Sequence, residues 1–192
     1  GGARAAAPLR ILDVGCGTGC VGLALLNKLP EARCVGLDVS AAAVELSQRN
    51  ARELGLDARY TALHNPAGIG AYGPGGVPRV RLLGGGGGAD DGFDVVVSNP
   101  PYIPRADMGA LAVEVARYED DGALCGGADG LDVVRDIVRA APRLLRAGGM
   151  RAVWLEVDSS HPPLLREFLE EGPARGAGSG LRFVRWVADF GG

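Results

Sequence analysis

Apolar positions along this chain alternate between unbroken runs and spaced patterns, which predicts strands and helices in turn. Leu9 to Val14 reads as a first strand, and Val21 to Leu29 has the apolar density of a helix lying on a sheet, stopped by Pro30. Ala32 to Val39 is a second strand with Asp38 near its end. Ser40 suits the N-cap of a helix from Ala41 to Leu54, and Gly55 is placed to end it. A third strand follows over Ala58 to His64. Val95 to Val97, continuous and β-branched, form the core of a fourth strand buried on both faces. Leu131, Val134, Val138, Ala141 and Leu145 share one face of a helix that Pro142 is expected to kink. Met150 to Val157 is a fifth strand, and Pro162 and Pro163 open a helix reaching about Glu171. Leu181 to Phe190 is a last strand, with Val184, Trp186 and Ala188 on one face. Strand–helix alternation of this kind predicts an α/β fold with a mostly parallel, doubly wound sheet.

Two stretches break the pattern. Residues from about 66 to 92, which include the run Gly84 to Gly88, read as a flexible insertion with a short strand at Arg79 to Leu83. Ile103 to Gly130 reads mainly as loop, with a helical stretch around Met108 to Ala116.

Composition narrows the class. The chain has 192 residues, 47% hydrophobic and 22% charged, which fits one globular domain over 1–192. A formal net charge of -3 and a single lysine, Lys28, give no basic field for nucleic acid. No apolar run is long enough to span a bilayer, and Gly1 to Pro8 does not resemble a signal peptide. Cys16, Cys20, Cys34 and Cys125 lack zinc-type spacing and read as buried free thiols. His64, His161 and Glu156 read as structural, Trp154 and Trp186 as core or half-buried residues. The acids Glu119 to Asp121 read as a solvated loop, so no metal is expected.

Two motifs carry chemistry. Gly15, Gly17 and Gly19 leave a strand and enter a helix, so a ligand can approach the backbone closely. Asp38, at the end of the next strand, suits the two hydroxyls of a ribose. Gly17 to Gly22 fits the dinucleotide fingerprint G-x-G-x-x-G. Gly15-Cys16-Gly17-Thr18-Gly19 after Asp13 fits the loop of methyltransferases that use S-adenosyl-L-methionine. The second motif, Asn99-Pro100-Pro101-Tyr102, ends the fourth strand. Its prolines have no N–H to donate and restrict the residues before them, making a stiff tip. The Asn99 side-chain oxygen and the Pro100 carbonyl can each accept one hydrogen of a flat –NH2 group while Tyr102 lies against its face. A nicotinamide enzyme has no evident use for such a clamp.

With both motifs present, the chain resembles the HemK-type (PrmC-like) release factor glutamine methyltransferases. The resemblance runs through Asp13 to Gly19, Asp38, Ser98 to Pro104, Tyr118-Glu119-Asp120 with Ala123-Leu124, Gly126 to Leu131, Gly148-Gly149 and Asp189-Phe190. Glu156-Val157-Asp158 with His161-Pro162 resembles the animal mitochondrial branch. The resemblance implies a Rossmann-like class I methyltransferase fold with an antiparallel C-terminal strand and S-adenosyl-L-methionine held by Gly15, Cys16, Gly17, Thr18, Gly19, Asp38 and Asn99. It implies methyl transfer to the glutamine amide of the Gly-Gly-Gln motif of a translation release factor, with Asn99, Pro100 and Tyr102 catalytic and Pro101 completing the substrate-binding tip. A monomer acting in mitochondria, or alternatively in the cytoplasm, is expected, with no membrane and no sequence-specific nucleic-acid partner. Family members carry an N-terminal helical domain and a strand after Asp-Phe-Gly, and the sequence is expected to lack both. Where many members place an acid and an aromatic near adenine, this chain has His64-Asn65-Pro66. The competing readings are an N6-adenine methyltransferase of DNA or RNA, a nicotinamide-dependent oxidoreductase, and a non-catalytic module that has kept the fold.

Overall fold

The computed structural model describes residues 7–71, 92–110, 121–170 and 180–188. They fall into two compact units, one of residues 7–71, 92–98 and 143–154, the other of residues 99–110, 121–142, 155–170 and 180–188.

The first unit is built on a five-stranded sheet of order β3-β2-β1-β4-β5. Its strands are β1 (Arg10–Val14), β2 (Arg33–Asp38), β3 (Tyr60–His64), β4 (Val95–Ser98) and β5 (Ala152–Leu155). The pairs β1–β2, β1–β4 and β2–β3 are parallel, with Leu12 opposite both Val35 and Val96. A parallel sheet needs crossovers, and the helices α1 (Cys20–Lys28) and α2 (Ala41–Glu53) supply the first two. Ser40 caps α2 as expected, its Oγ accepting the Ala43 N–H at 3.3 Å. Leu12, Leu26, Val96 and Ala51 have no exposed surface, and Leu26 and Ala51 pack with Ile11, Leu23, Cys34 and Tyr60 in one core. Arg59 closes the other end of α1, donating to the carbonyls of Leu26, Leu29 and Ala32 at 3.0 to 3.2 Å. On β3 the Ala62 N–H donates to Gln48 Oε1 of α2 at 3.0 Å.

One buried ion pair fastens β4. The Asp94 carboxylate, whose side chain is 3% exposed, accepts from Arg146 Nε at 2.7 Å and Nη2 at 2.6 Å, and from the Arg10 N–H at 2.9 Å. Gly149 lies so close that a Cβ there would strike the Asp94 carboxylate.

In the second unit α3 (Asp121–Leu124), α4 (Asp132–Leu144) and α5 (His161–Glu170) are helical. Leu131 and Val134 pack on Leu165, and Val138 packs on Phe168. Arg135 and Arg139 lie over the Phe168 ring at 5.8 and 5.4 Å from its centre. Asp129 grips Arg135 with both oxygens and also accepts the Leu131 N–H at the start of α4. The helix runs past Pro142 to Leu144.

Several sequence expectations need correction. Leu181 to Ala188 carries no strand, and Val184, Trp186 and Val187 are exposed, so the apolar alternation there has no packed surface to answer it; Asp189 and Phe190 lie outside the described residues. Trp154 is 54% exposed; among the described residues β5 is an outermost strand with one neighbour to shield it. Cys20 is exposed at the first position of α1 and Cys125 is half-buried, while Cys16 and Cys34 are buried as expected; all four are free thiols. Part of the stretch expected to be a flexible insertion is among the described residues, and the rest, 72–91, lies outside them. Residues 65–71 form an ordered turn, with the Asn65 N–H on the Asp38 carbonyl and Ile69 buried in a 3-10 helix, Ile69–Ala71. The short strand expected at Arg79 to Leu83 lies outside the described residues. Of the helix expected around Met108 to Ala116, Met108–Ala110 is a 3-10 turn and the rest lies outside them.

Candidate active site

The glycine loop lies in the first unit, at the carboxyl end of β1. Gly15, Gly17 and Gly19 have φ of 68°, 53° and 84°, a region closed to most side chains. A Cβ at Gly15 or Gly17 would meet nothing within 4 Å, so these two residues present bare backbone to open space. At Gly19 a Cβ would crowd Leu23 at 3.0 Å, Ser47 at 3.1 Å and the Tyr60 hydroxyl at 3.2 Å. The loop is therefore open on one side and tightly supported on the other.

The support comes from four elements. From β2, the Leu37 carbonyl accepts the N–H groups of Gly15 at 2.7 Å and Cys16 at 3.1 Å. Asp38 accepts the Gly17 N–H at 2.8 Å on Oδ2 and the Ser40 N–H at 2.9 Å on Oδ1. From α2, Asn50 Nδ2 donates to the Thr18 carbonyl at 2.9 Å, and buried Ser47 lies 3.9 Å from the Cys16 thiol. From β3, the Tyr60 hydroxyl reaches under Gly36, where a Cβ would strike it. From β1, buried Asp13 accepts the Gly22 N–H at 2.9 Å. Burial pushes the Asp13 carboxyl up to about 6 and the Cys16 thiol up to about 11, and it raises the Tyr60 hydroxyl as well. Cys16 thus faces inward as a neutral thiol.

Sequence reasoning missed Ser47, Asn50 and Tyr60. The available signal was polarity on an otherwise apolar face, since Ser47 and Ala51 are one turn apart on α2 and both fully buried.

Beside the start of this loop, Ser98 is buried and its hydroxyl donates to the Val14 carbonyl at 2.6 Å. Val14 and Ser98 are register partners, so the last residues of β1 and β4 are fastened together. The next residue along the chain from Val14 is Gly15, and from Ser98 it is Asn99.

Asn99 to Tyr102 belong to the second unit. Asn99 is exposed, Pro100 is buried, and Pro101 and Tyr102 are half-buried. The tip rests on the glycine-rich stretch that follows α3. Ile103 bridges Cys125, with the Ile103 N–H on the Leu124 carbonyl at 3.0 Å and the Gly126 N–H on the Ile103 carbonyl at 2.9 Å. A Cβ at Gly126 would come within 2.6 Å of the Pro101 carbonyl, and one at Gly130 (φ 81°) would strike the Tyr102 carbonyl and lie 2.9 Å from His161 Cε1. Gly126, Gly130 and buried His161 are thus the backing of the tip, which the sequence reading did not assign.

A family model described as the methyltransferase small domain matches residues 4–67. The MTRF1L release factor glutamine methyltransferase of Homo sapiens is 37% identical over 169 residues, 85% of this chain and 44% of that protein. A release factor glutamine methyltransferase of Geobacter sulfurreducens is 43% identical, over 81% of this chain and 46% of its own length. One of Gloeobacter violaceus is 35% identical over 98% of this chain and 57% of its own length. Among solved structures, the hMettl16 catalytic domain, in complex with the MAT2A 3'UTR hairpin 6, superposes with a TM-score of 0.55 at 14% identity, over 84% of this chain and 55% of that one. At that identity the likeness is one of fold.

A parallel sheet with crossover helices and a glycine loop closing β1 is thus a Rossmann-like class I methyltransferase fold. By sequence, the chain is similar to release factor glutamine methyltransferases, and it spans about half the length of the curated relatives it matches.

Proposed function

We propose that this chain binds S-adenosyl-L-methionine on the Gly15–Gly19 loop and directs its methyl group to the side-chain amide nitrogen of the glutamine in a release factor's Gly-Gly-Gln motif. The observation that carries the reading is the Asn99 amide, exposed at the stiff end of a strand whose last hydroxyl is bonded to the residue preceding the glycine loop. Kinship with glutamine methyltransferases favours it over the adenine and nicotinamide readings.

The residues present suit the cofactor. Gly15 and Gly17 leave the space in which a Cβ would otherwise stand, and Asp38 has carboxylate lone pairs beyond the two taken by Gly17 and Ser40. When bound, S-adenosyl-L-methionine supplies an electrophilic methyl group on a sulfonium. The protein must then orient a weak nucleophile, since an amide nitrogen shares its lone pair with the carbonyl. Asn99 Oδ1 and the Pro100 carbonyl accept its two hydrogens, fixing the nitrogen toward the methyl group and stabilising the positive charge that develops until one of the two protons is released to water. Tyr102 packs against the flat face, and Pro101 keeps the tip from yielding. Positioning supplies most of the rate.

The chain acts as a monomer in this reading, on a protein rather than a nucleic acid, and mitochondria are the expected compartment. None of the helices among the described residues is long and apolar enough to cross a membrane. The test is transfer of labelled methyl to a purified release factor, with the modified residue located by peptide mass spectrometry. Asn99→Ala is expected to bind the cofactor nearly as well and to turn over about 100-fold more slowly. Equal turnover would remove Asn99 from the mechanism, and label appearing on adenine-containing DNA or RNA instead would replace the substrate.

A further inference from the structure

The third glycine of the dinucleotide-type fingerprint, Gly22, has no part in the function proposed above, yet it lies one turn into α1 facing a buried carboxylate. We propose that Asp13 is a positioning residue, which caps α1 from the preceding strand and thereby holds the Gly15–Gly19 loop in its cofactor-receiving form.

Helix α1 starts without the usual means of satisfying its first-turn amides. Its N-cap is Gly19, which has no side chain to accept from them, and the first turn holds no acidic residue to complement the helix dipole. No capping side chain fits at position 19, where φ is 84° and a Cβ would crowd Leu23, Ser47 and Tyr60. Asp13 supplies both missing elements from outside the helix: an acceptor 2.9 Å from the Gly22 nitrogen, and a negative charge at the helix start. Gly22 is what lets it approach, because a Cβ there would sit 3.0 Å from Asp13 Oδ2 and 2.9 Å from Cys34 Sγ. Gly15 to Gly19 are strung between Asp13 and the helix it caps, so the carboxylate fixes the loop from both sides.

Such a cap is sensitive to pH. The titratable groups facing Asp13 are Asp38 and Cys34 of β2, Cys16 of the loop and Tyr60 of β3. Both thiols and the phenol are held neutral by burial, leaving Asp38 as the charge that adds to the desolvation of Asp13. Asp13 therefore loses its charge on acidification through about pH 6, and the cap weakens with it.

This inference rests on the cofactor reading, so the experiment has one arm that does not. In the first, the amide shifts of Gly22 are followed by NMR from pH 5 to 8, without cofactor. A titration with a midpoint near 6 that vanishes in Asp13→Asn is expected; an unchanged curve in the folded variant would overturn the proposal. In the second arm the dissociation constant for S-adenosyl-L-methionine is measured over the same range. The unaltered chain should bind about 2.5-fold more weakly at pH 5.5 than at 7.5, with Asp13→Asn about five-fold weaker than the unaltered chain at 7.5 and nearly flat with pH. Identical affinities and profiles in the two proteins would also overturn it. Failure of both to bind, with the NMR titration intact, would sink the cofactor reading and leave the cap standing.

Discussion

Asp13 is a residue whose service to the loop runs against the stability of the chain. Its carboxyl has a folded-state pKa of about 6 against an ordinary 3.8, because burial penalises the ionised form more than the Gly22 bond favours it. Between those two pH values the folded protein binds the proton more tightly than the unfolded chain does. Stability therefore falls as pH rises from 3.8 to 6 and is level above that, by about 3 kcal/mol from this group. Urea melts should show Asp13→Asn losing that pH-dependent decline, so that the variant gains on the unaltered chain by about that amount between pH 4 and 7. A gain in stability with a loss of cofactor affinity would mark a residue kept for function. Asp94, by contrast, is held by an ion pair. Replacing Arg146 by Met would leave its carboxylate buried with the Arg10 amide for company, and the unfolding free energy should drop by about 3 kcal/mol. Residues of this kind are only half legible in a sequence. Asp13 was visible as the acid before a glycine loop, but its partner is an amide in the next element, and no side-chain pattern reports an amide.

The elements themselves were readable where local pattern and tertiary burial agree. Val95 to Val97 read as a fully buried strand and are one, and Ser40 caps α2 where it was expected to. The reading failed where apolar spacing had no surface to pack on, as at Val184 and Trp186, and where glycine content masked a packed turn, as at Ile69. It also passed over the backing of the tip, because Gly126 and Gly130 serve by having no side chain. Gly130→Ala would combine a left-handed φ with a clash against the Tyr102 carbonyl. About 2 kcal/mol of lost stability is expected, together with slower methyl transfer at an unchanged dissociation constant for the cofactor. A cofactor affinity that moved as much as the rate would show that the tip is not the part disturbed. On the other unit, Gly36→Ala should be rescued in part by Tyr60→Phe, since the added methyl meets the hydroxyl rather than the ring edge first. A double-mutant cycle in thermal melting reads that coupling, and additive losses would deny it.

For the molecule as a whole, topology follows from a short argument. Parallel strands need covered faces, covered faces need helices between strands, and the alternation of the sequence supplies them in order. Both motifs then fall at the carboxyl ends of strands, where sheets of this kind bind ligands. What could not be read was the set of supports, which are spread over β1, β2, β3 and α2 and meet only in three dimensions. An open sheet also has two rims, and a rim of unpaired amides invites another chain to pair with it. On β3, the last strand on its side of the sheet among the described residues, Gln48 has already claimed the Ala62 N–H. A stranger's strand laid along that rim would find its donor spoken for at mid-length, so this one glutamine guards the chain against sticking to its own copies, and Gln48→Ala should cloud on concentration while keeping its fold.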